Sequence, residues 1–255
     1  MTSLNRRELL LGAASGAAGL SFGSSLFAQS GPAYQEIGVP RNAGRLTGSI
    51  KYDGPSFDIP KVRVTKDTTI CGESLREPQT IRVRDDGALA DTVVQIRNIT
   101  QGKAWEPIFD EARIYQIGCS FQPYVQIIKN TADVYVVNFD PILHNIHAYE
   151  FYRGTRRSMF NFSQPNAGME DRIPLRLRRG HLLTIDCNAH NWMAAWLYTS
   201  PNPYIAVTSV DGQFELPDIP PGDYELAIWH PMLGEKLINL SVTEGADLRF
   251  DLVWT

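Results

Sequence analysis

The sequence has little of three things: cysteine, net charge and helical pattern. Its 255 residues include three cysteines, and 24 Lys and Arg against 28 Asp and Glu leave a formal net charge of −4. This mild acidity argues against nucleic acid as the main partner, because binding to nucleic acid rests on positive charge. No helix longer than one turn is predicted, and no repeat with a period of about 20–50 residues is found. These absences argue against a nucleic-acid-binding, helical or repeat protein.

Residues that favour turns and strands are abundant instead. Sixteen prolines and twenty glycines punctuate the chain, and Val, Ile, Tyr and Thr recur in short runs between them. This pattern is typical of β structure. With 43% hydrophobic residues, the chain can form one large core or two small ones. We therefore predict an all-β fold.

The first 28 residues are predicted to be an export signal. Arg6 and Arg7 provide the positive start, a weakly apolar run follows at residues 9–27, and Ala28 offers a small residue for cleavage. A transmembrane anchor is the alternative. It is the poorer one, because the glycines and serines in residues 9–27 lower the hydrophobicity of this run. We expect no stable membrane span after removal of the signal.

Residues 5–10, with the sequence Asn-Arg-Arg-Glu-Leu-Leu, resemble the twin-arginine signals of bacteria. The resemblance implies export to the periplasm, where disulfides persist. Residues 29–43 follow as a predicted linker, because they contain Gly-Pro and Val-Pro pairs and no sustained period.

The remaining sequence predicts a series of short strands separated by turns. The predicted bounds are residues 44–52, 61–64, 81–84, 92–97, 132–139, 147–152, 173–177, 181–186, 194–199, 204–207, 212–216, 224–230, 236–242 and 247–253, with a further β-rich run at 112–128. The strongest strand, at 132–139, ends shortly before His144, and the strand at 181–186 ends directly before Cys187. The stretch between residues 152 and 173 is expected to be irregular.

Three possible metal ligands lie within one short loop. Cys187, His190 and Met193 are each three residues apart, a spacing that lets a tight turn bring three side chains to one point. A thiolate, two imidazoles and a weak thioether are what a mononuclear blue-copper site contains. The second imidazole must come from elsewhere, and His144 is the best candidate. These four residues are the predicted ligands of one copper ion.

Each of these residues also has a plain structural role as an alternative. A single cysteine in a β protein is usually buried and inert, His144 could be a satisfied polar residue, and Met193 could simply pack. Their order, spacing and position at strand ends together favour a metal site.

A zinc hydrolase is a further alternative, because His147-x-x-Glu150 matches the pair found in zinc carboxypeptidases. On a strand, residues three apart point to opposite faces, so His147 and Glu150 could not bind the same ion there. The same parity separates His147 from His144. For the remaining histidines a role other than ligation is predicted, with His181 in solvent at a strand start and His230 packed against the rest of the protein.

The predicted copper ligands and their neighbours give the sequence a resemblance to the cupredoxin family over residues 112–200. The motifs are Asn138-x-Asp140-x-x-x-His144-Asn145 and Cys187-x-x-His190-x-x-Met193. The resemblance implies a Greek-key β-sandwich with a type 1 copper, in which His144, Cys187 and His190 are equatorial ligands and Met193 is the weak axial one. It also implies that His190 lies near the surface as the exit for electrons. Asn145 would brace the ligand loop by hydrogen bonding.

Met193 departs from the usual family pattern in its spacing. Plastocyanin-like members usually have four residues between the loop histidine and the methionine, whereas two residues separate His190 from Met193. The shorter interval occurs in the binuclear copper centre of cytochrome oxidase, but that centre needs a second cysteine in the loop. No second cysteine follows Cys187, so a mononuclear site is preferred.

The three cysteines allow one disulfide and one free thiol. A Cys71–Cys119 bond would be a structural disulfide of an oxidising compartment and would leave Cys187 free to bind metal. Three unpaired thiols are the alternative.

The tail resembles the carboxypeptidase regulatory-like (transthyretin-like) family. The motif is Thr208-x-x-Asp211-Gly212-x-Phe214-x-Leu216-x-x-Ile219-Pro220-Pro221-Gly222-x-Tyr224-x-Leu226. Members usually begin with a strand and turn similar to residues 44–55. The resemblance implies a second, smaller prealbumin-like β-sandwich, in which residues 44–104 and 201–255 form one discontinuous domain around a copper domain at 105–200.

The expected function is that of a periplasmic mononuclear copper protein that transfers electrons, with a c-type cytochrome or a periplasmic dehydrogenase as partner. A non-redox module that binds copper or zinc is the alternative. An enzyme is not expected, because one copper with all ligand positions filled leaves no place for a substrate. Seven arginines and two acidic residues lie between positions 153 and 179, and they could steer an acidic partner if they share a face.

Overall fold

The computed structural model describes residues 33–255, so the predicted export signal at residues 1–28 lies outside the described part. Within residues 33–255 the chain forms twenty strands, one α-helix of a single turn and one 3-10 turn. The predicted all-β fold is therefore confirmed. No helix in this part of the chain is long and apolar enough to cross a membrane.

The strands are numbered in chain order. The first ten are β1 (Gln35–Glu36), β2 (Gly44–Tyr52), β3 (Val62–Arg63), β4 (Leu75–Arg76), β5 (Val93–Ile96), β6 (Gln101–Gly102), β7 (Glu111–Gln116), β8 (Phe121–Gln122), β9 (Val125–Lys129) and β10 (Asp133–Asn138). The others are β11 (His144–Tyr152), β12 (Thr155–Gln164), β13 (Glu170–Pro174), β14 (Leu182–Asp186), β15 (Ala194–Ser200), β16 (Ile205–Val207), β17 (Gln213–Ile219), β18 (Gly222–His230), β19 (Gly234–Val242) and β20 (Asp247–Trp254). The α-helix α1 spans Thr68–Cys71, and the 3-10 turn spans Pro107–Phe109.

Two sheets enclose the first core. One has the strand order β13-β10-β7-β8 and the other β12-β11-β14-β15-β9. Side chains alternate across a strand, so every second residue points between the sheets. Ala112 and Ile114 of β7 and Leu183 and Ile185 of β14 are buried there in one hydrophobic cluster. This pair of sheets is called the first sandwich.

Two further sheets enclose a second core, here called the second sandwich. Their strand orders are β16-β5-β18-β19 and β17-β2-β20. β2 pairs antiparallel with β17 and parallel with β20, so Leu46 and Ile50 share a cluster with Leu216 and Ile228. The core is thus formed jointly by sequence from before and after the first sandwich.

A smaller apolar cluster joins the two sandwiches. It contains Val93 and Trp229 of the second sandwich and Val125, Leu182 and Tyr198 of the first. The rings of Tyr198 and Trp229 lie 5.5 Å apart. The two cores therefore meet through packed side chains.

Two predictions about strands were wrong. The stretch expected to be irregular contains β12, a ten-residue strand. It lies at the edge of its sheet, and most of its side chains are exposed, so the polar run that includes Arg156, Arg157 and Ser158 shows no apolar alternation. Residues 81–84, predicted as a strand, form only an isolated bridge between Val83 and Leu89. In the predicted linker at 29–43, the described part includes β1, which pairs with β6.

Candidate metal centre

The candidate site lies at one end of the first sandwich, where β11 begins and β14 ends. The two strands are antiparallel, with His147 opposite Asp186. The first residue of β11, His144, therefore lies beside residues 187–193, the loop that follows β14 and leads into β15. The strand register brings all four predicted ligands to this end.

Three of the predicted ligands converge on one point. The Nδ1 atoms of His144 and His190 are 3.0 Å apart, and Nδ1 of His190 is 3.7 Å from Sγ of Cys187. One ligand atom from each residue lies within 4.8 Å of the other two. The exposed fraction is 0% for both histidines and 2% for Cys187. A thiol and two imidazoles thus share one pocket that is shielded from solvent.

A carboxylate fixes the orientation of each imidazole. Nε2 of His144 donates to Asp140 at 2.9 Å, and Nε2 of His190 donates to Asp67 at 3.0 Å. A neutral imidazole carries one proton, so these bonds leave both Nδ1 atoms with free lone pairs. A carboxylate on the far nitrogen orients histidine ligands in metal sites generally.

The spacing of the donor atoms fits a transition-metal ion. Two unprotonated nitrogens 3.0 Å apart repel each other unless a cation lies beside both. Bonds of about 2.0 Å to nitrogen and about 2.3 Å to sulfur would separate tetrahedral donors by about 3.3 to 3.6 Å. The observed separations of 3.0 and 3.7 Å are close to these values. His144, Cys187 and His190 could therefore hold one metal ion.

The environment favours the metal-binding form of both imidazoles. Burial lowers the pKa of His144 and of His190, while Asp140 and Asp67 act in the opposite direction. Burial also raises the pKa of the Cys187 thiol, against the effect of nearby backbone N–H groups. The imidazoles are thus neutral donors at neutral pH, and the thiol would release its proton on metal binding.

Asn145 connects the two halves of the site. Its backbone N–H donates to Sγ of Cys187 at 3.3 Å, and its side-chain oxygen accepts the N–H of Asn188 at 3.3 Å. Its side-chain nitrogen donates to Asn161 at 2.8 Å and to the carbonyl of Phe162 at 2.9 Å. These contacts tie the start of the ligand loop to β11 and β12.

Met193 lies in the same loop and is buried. Its N–H donates to the carbonyl of His190 at 3.0 Å, and its carbonyl accepts the N–H of Cys187 at 3.4 Å. These bonds close residues 187–193 into a compact turn. Met193 also belongs to the core cluster that contains Cys187, which is compatible with a weak fourth ligand.

His190 is not near the surface, and the expectation from the cupredoxin resemblance is wrong on this point. Its imidazole is fully buried. Asp67 covers Nε2, and the ring of Trp192 lies 5.1 Å from the imidazole ring. Electrons could therefore not leave through an exposed edge of His190.

Sequence reasoning assigned no role to either carboxylate. Asp140 lies four residues before His144 within the quoted motif, and its spacing on the loop could have suggested the contact. Asp67 is 123 residues from His190 in sequence and lies in a segment without periodicity. No local pattern could have identified it.

The Cys71–Cys119 pair predicted from the sequence is a disulfide in the structure, with Cα atoms 5.4 Å apart. Cys187 is free and buried. Cys119, Asp140 and His144 form a second group whose possible ligand atoms lie within 4.8 Å, but the disulfide removes the thiol of Cys119. The site built around Cys187 is therefore the better candidate.

His147 and Glu150 lie on opposite faces of β11, as the parity of a strand predicts. Glu150 is buried and accepts the backbone N–H groups of residues 178–180. His147 lies on the outer face, where Nε2 is 3.0 Å from Ser158 Oγ and Nδ1 is 2.7 Å from the hydroxyl of Tyr149. This pair does not form a zinc site.

The expectation that His181 lies in solvent is wrong. Its exposed fraction is 9%, and its ring packs 4.8 Å from that of Tyr198. His230 is fully buried, and its Nδ1 accepts the N–H of Met232 at 3.1 Å. Burial lowers the pKa of each histidine to about 4, assisted at His181 by the positive charge of Arg97.

The arginines of the stretch at 153–179 differ in their contacts. Arg156 pairs with Asp186 at 2.5 Å. Residues 178–179 bind Glu150 through their N–H groups, near the end of β11 that is farthest from the candidate site. That the arginines of this stretch share a face and steer an acidic partner stays a prediction.

No family model matches the sequence, and no curated protein matches it. Among solved structures, it is similar to the Cu-containing nitrite reductase (NirK) of Thermus scotoductus SA-01, with 19% identity and a TM-score of 0.29 over 39% of this chain and 24% of that chain. It is similar to amicyanin from Paracoccus versutus, with 15% identity and a TM-score of 0.30 over 36% and 82% of the two chains. A purple cupredoxin from Nitrosopumilus maritimus shares 20% identity at a TM-score of 0.30 over 35% and 99%.

The chain thus spans about a quarter of the length of the nitrite reductase. All three similarities cover less than two fifths of this chain at low scores. What the candidate centre binds has to be inferred from its own residues.

Proposed function

We propose that this protein binds one copper ion in the first sandwich and transfers electrons, as cupredoxins do. The single observation that supports this is the buried convergence of Cys187 Sγ with the Nδ1 atoms of His144 and His190. A soft thiolate suits Cu(I), imidazoles suit both oxidation states, and a weak thioether completes a type 1 set. In this proposal Met193 supplies the thioether.

The chain itself would keep the ligands in one geometry. Copper, when bound, supplies the redox chemistry by exchanging one electron. Asp67 and Asp140 hold the far nitrogens of the two imidazoles, and Asn145 donates to the sulfur of Cys187. Fixed ligands rearrange little when the oxidation state changes, which favours fast electron transfer.

Electron transfer is proposed rather than catalysis because the ligands are enclosed. His144, Cys187 and His190 are buried, so a substrate has no evident route to an ion held between them. An electron needs no such opening, since it can pass through the packed side chains around the ligands.

The proposed compartment is the periplasm, and the proposed partner is a c-type cytochrome or a periplasmic dehydrogenase. The Cys71–Cys119 disulfide supports an oxidising compartment. The twin-arginine-like start predicted from the sequence supports the same assignment.

A non-redox copper or zinc module is the second candidate. It is favoured by one observation, the burial of His190 beneath Asp67. A ligand without an exposed edge gives electrons a longer route to a partner, whereas it does not hinder storage of a metal or stabilisation of the fold.

Loading the purified protein with Cu(II) tests the proposed function. We expect an intense thiolate-to-copper band in the visible spectrum and a type 1 EPR signal. Both should vanish in Cys187→Ser, because a serine hydroxyl cannot replace a soft thiolate. Glu215→Gln is the control, since Glu215 is an exposed residue of β17 in the second sandwich, and it should retain the band. A colourless protein that prefers zinc would contradict electron transfer and support the non-redox candidate.

We also propose that residues 44–104 and 201–255 form one prealbumin-like domain, with residues 105–200 inserted as the copper domain. Strand pairing supports this division. β2, from the first segment, pairs with β17 and β20 from the second. β5, also from the first segment, pairs with β16 and β18.

A further inference from the structure

Residues 62–76, here called the clamp segment, lie outside the four large sheets. The clamp segment consists of β3, α1 and β4, and β3 and β4 pair only with each other. Val64 and Cys71 are buried in the core cluster of the first sandwich, and Cys71 is bonded to Cys119. A segment with so little regular structure depends on these attachments for its position.

The clamp segment delivers Asp67 to the candidate metal centre. Asp67 precedes α1 with φ 53° and ψ 35°, the left-handed region, which Asp adopts more readily than most residues other than glycine. Its carboxylate accepts the Nε2–H of the fully buried His190 at 3.0 Å.

The other end of the disulfide contacts the carboxylate that holds His144. The N–H groups of Gly118 and Cys119 donate to the two oxygens of Asp140 at 2.8 Å each, and Asp140 accepts from Nε2 of His144 at 2.9 Å. Cys119 is also left-handed, with φ 57°. One covalent bond therefore joins the two backbone segments that position both carboxylates.

Hydrogen bonds also join the clamp segment and the ligand loop to residues 118–119. The guanidinium of Arg76, in the clamp segment, donates to the carbonyls of Gly118 and Cys119 at 2.8 and 3.0 Å. Nε1 of Trp192 donates to the same carbonyl of Cys119 at 3.0 Å. The Trp192 ring in turn lies 5.1 Å from that of His190. The clamp segment, the disulfide and the ligand loop are thus connected at one place.

We propose that the clamp segment and the Cys71–Cys119 disulfide act as one brace for the metal centre, in which Asp67 is a positioning residue for His190. This inference rests on the proposed copper function and adds to it. The carboxylate of Asp67 directs the Nδ1 lone pair of His190 toward the metal, and the segment keeps water from the ligands. Without the brace, the ring of His190 can turn and solvent reaches Cys187.

Access to the Cys187 thiol in the metal-free protein tests the brace without a metal. The sequence has no other free cysteine, so labelling with dithiobis(nitrobenzoate) reports on Cys187 alone. Asp67→Ala should label at least about tenfold faster, because loss of the contact favours local opening. Asp67→Asn retains a carbonyl that accepts the Nε2–H and should label close to the wild-type rate. Wild-type labelling of Asp67→Ala would overturn the proposal.

Copper binding provides the second readout. Asp67→Ala should weaken Cu(II) binding by about 10- to 100-fold, the usual effect of removing a group that orients a metal ligand. Asp67→Asn should keep most of the affinity and raise the reduction potential, because loss of a nearby negative charge disfavours Cu(II). Asp58→Asn, which changes an exposed carboxylate outside the clamp segment, is the control and should change neither value. An unchanged affinity in Asp67→Ala would contradict positioning by Asp67.

The double variant Cys71→Ser/Cys119→Ser tests the covalent part of the brace. It should combine faster labelling of Cys187 with weaker copper binding, whereas Lys61→Ala, which removes only the ion pair with Glu77, should do neither. A folded double variant with wild-type values would exclude the disulfide from the brace. If the double variant does not fold, the Asp67 variants decide the question.

The two proposals fail in different ways. A wild-type protein that binds zinc only, or no metal, contradicts the copper function but leaves the labelling result of the metal-free variants valid. Slow labelling in every folded variant contradicts the brace even if the wild-type copper spectrum is that of a type 1 site.

Discussion

Met193 supplies the proposed centre with a thioether, the weakest donor of the four. An axial thioether in a blue-copper site mainly tunes the reduction potential. We predict that Met193→Leu still binds copper but has a higher potential, by about 59 mV for each tenfold gain in the relative stability of Cu(I). A spectroelectrochemical titration of the copper-loaded protein measures this shift.

Met159→Leu is the matched control for this substitution. Met159 lies in β12, and its sulfur accepts from the guanidinium of Arg157 at 3.1 Å, so the change removes a thioether away from the ligand loop. Its potential should stay at the wild-type value. An unaltered spectrum and potential in Met193→Leu would remove Met193 from the ligand set.

The contacts of single residues show how far the site could be predicted. The spacing Cys187-x-x-His190 and the strand before His144 are local patterns, and the structure brings these residues together. The contact of Asp67 with His190 depends on how a distant, irregular segment folds back. The hydrogen bond that fixes the tautomer of His190 could not be found from residue spacing, because Asp67 and His190 are 123 positions apart and share no period.

Among the elements, β11 contributes one predicted ligand, His144, and one buried carboxylate, Glu150. Its inward face begins with His144 and ends near Glu150, and both side chains are buried. Glu150 accepts the N–H groups of residues 178–180 at 2.6 to 2.9 Å and the guanidinium of Arg157 at 2.9 Å. Burial opposes its charge, but these donors outweigh burial and hold the pKa of Glu150 below its usual value.

Glu150→Gln tests this anchor. An amide cannot accept from all of these donors and places its own N–H₂ group among them, so the free energy of unfolding should fall by about 2–3 kcal/mol. Urea denaturation of the metal-free protein measures the change. Glu215→Gln, at an exposed carboxylate 3.5 Å from Arg45, should cost much less. Equal effects of the two substitutions would show that Glu150 does not anchor residues 178–180.

Strands whose burial alternates from residue to residue were predicted from the sequence, whereas a strand with many exposed residues was not. β20 alternates between exposed and less exposed residues along its whole length, and it was predicted at residues 247–253. β12 was missed because its first four residues are exposed at the edge of the sheet and show no apolar alternation. Alternation is present only at its end, where Phe160 and Phe162 pack against the core. The sequence of an arginine-rich edge strand therefore resembles that of a loop, because both lack apolar alternation.

At the scale of the whole molecule, stability should depend on pH through two buried histidines. Burial is the main cause that lowers the pKa of His181 and His230 from 6.5 to about 4, and Nε2 of each has no hydrogen-bond partner among the described residues. Between these pH values the unfolded chain binds protons that the folded protein does not. The free energy of unfolding should therefore fall as the pH drops from about 6.5 to about 4, by up to about 3 kcal/mol for each histidine.

Denaturation of the metal-free protein at pH 7.0 and at pH 4.5 measures this slope. His181→Gln/His230→Gln removes two of the four buried histidines whose pKa is lowered, the other two being His144 and His190. The double variant should therefore lose less stability over this pH range than the wild-type protein, whatever its stability at neutral pH. An equally steep loss in the double variant would assign the acid sensitivity to other groups.

The large-scale arrangement was predicted from two separate resemblances, and the sheets agree with an all-β fold of two cores. The prediction that His230, beside Trp229, packs between the tail and the rest of the protein indicated a contact between the cores, but it did not identify the partner residues in the first sandwich. Tyr198 and Trp229 meet at this contact. Which apolar residues serve a core and which serve a junction is decided only when the sheets pack.

The pairing of β2 with β20 also imposes an order on biosynthesis. Arg45 and Asp247 are neighbours across the two strands although 202 positions separate them. As the chain leaves the ribosome, every strand of the first sandwich is available long before β20, while Leu46 and Ile50 still lack the partners that bury them. Nascent chains with such an unpaired, apolar strand are prone to aggregation and proteolysis. The second sandwich, which does not contain the proposed copper centre, is thus the last part to complete its folding. It is also the part more accessible to chaperones and proteases during synthesis.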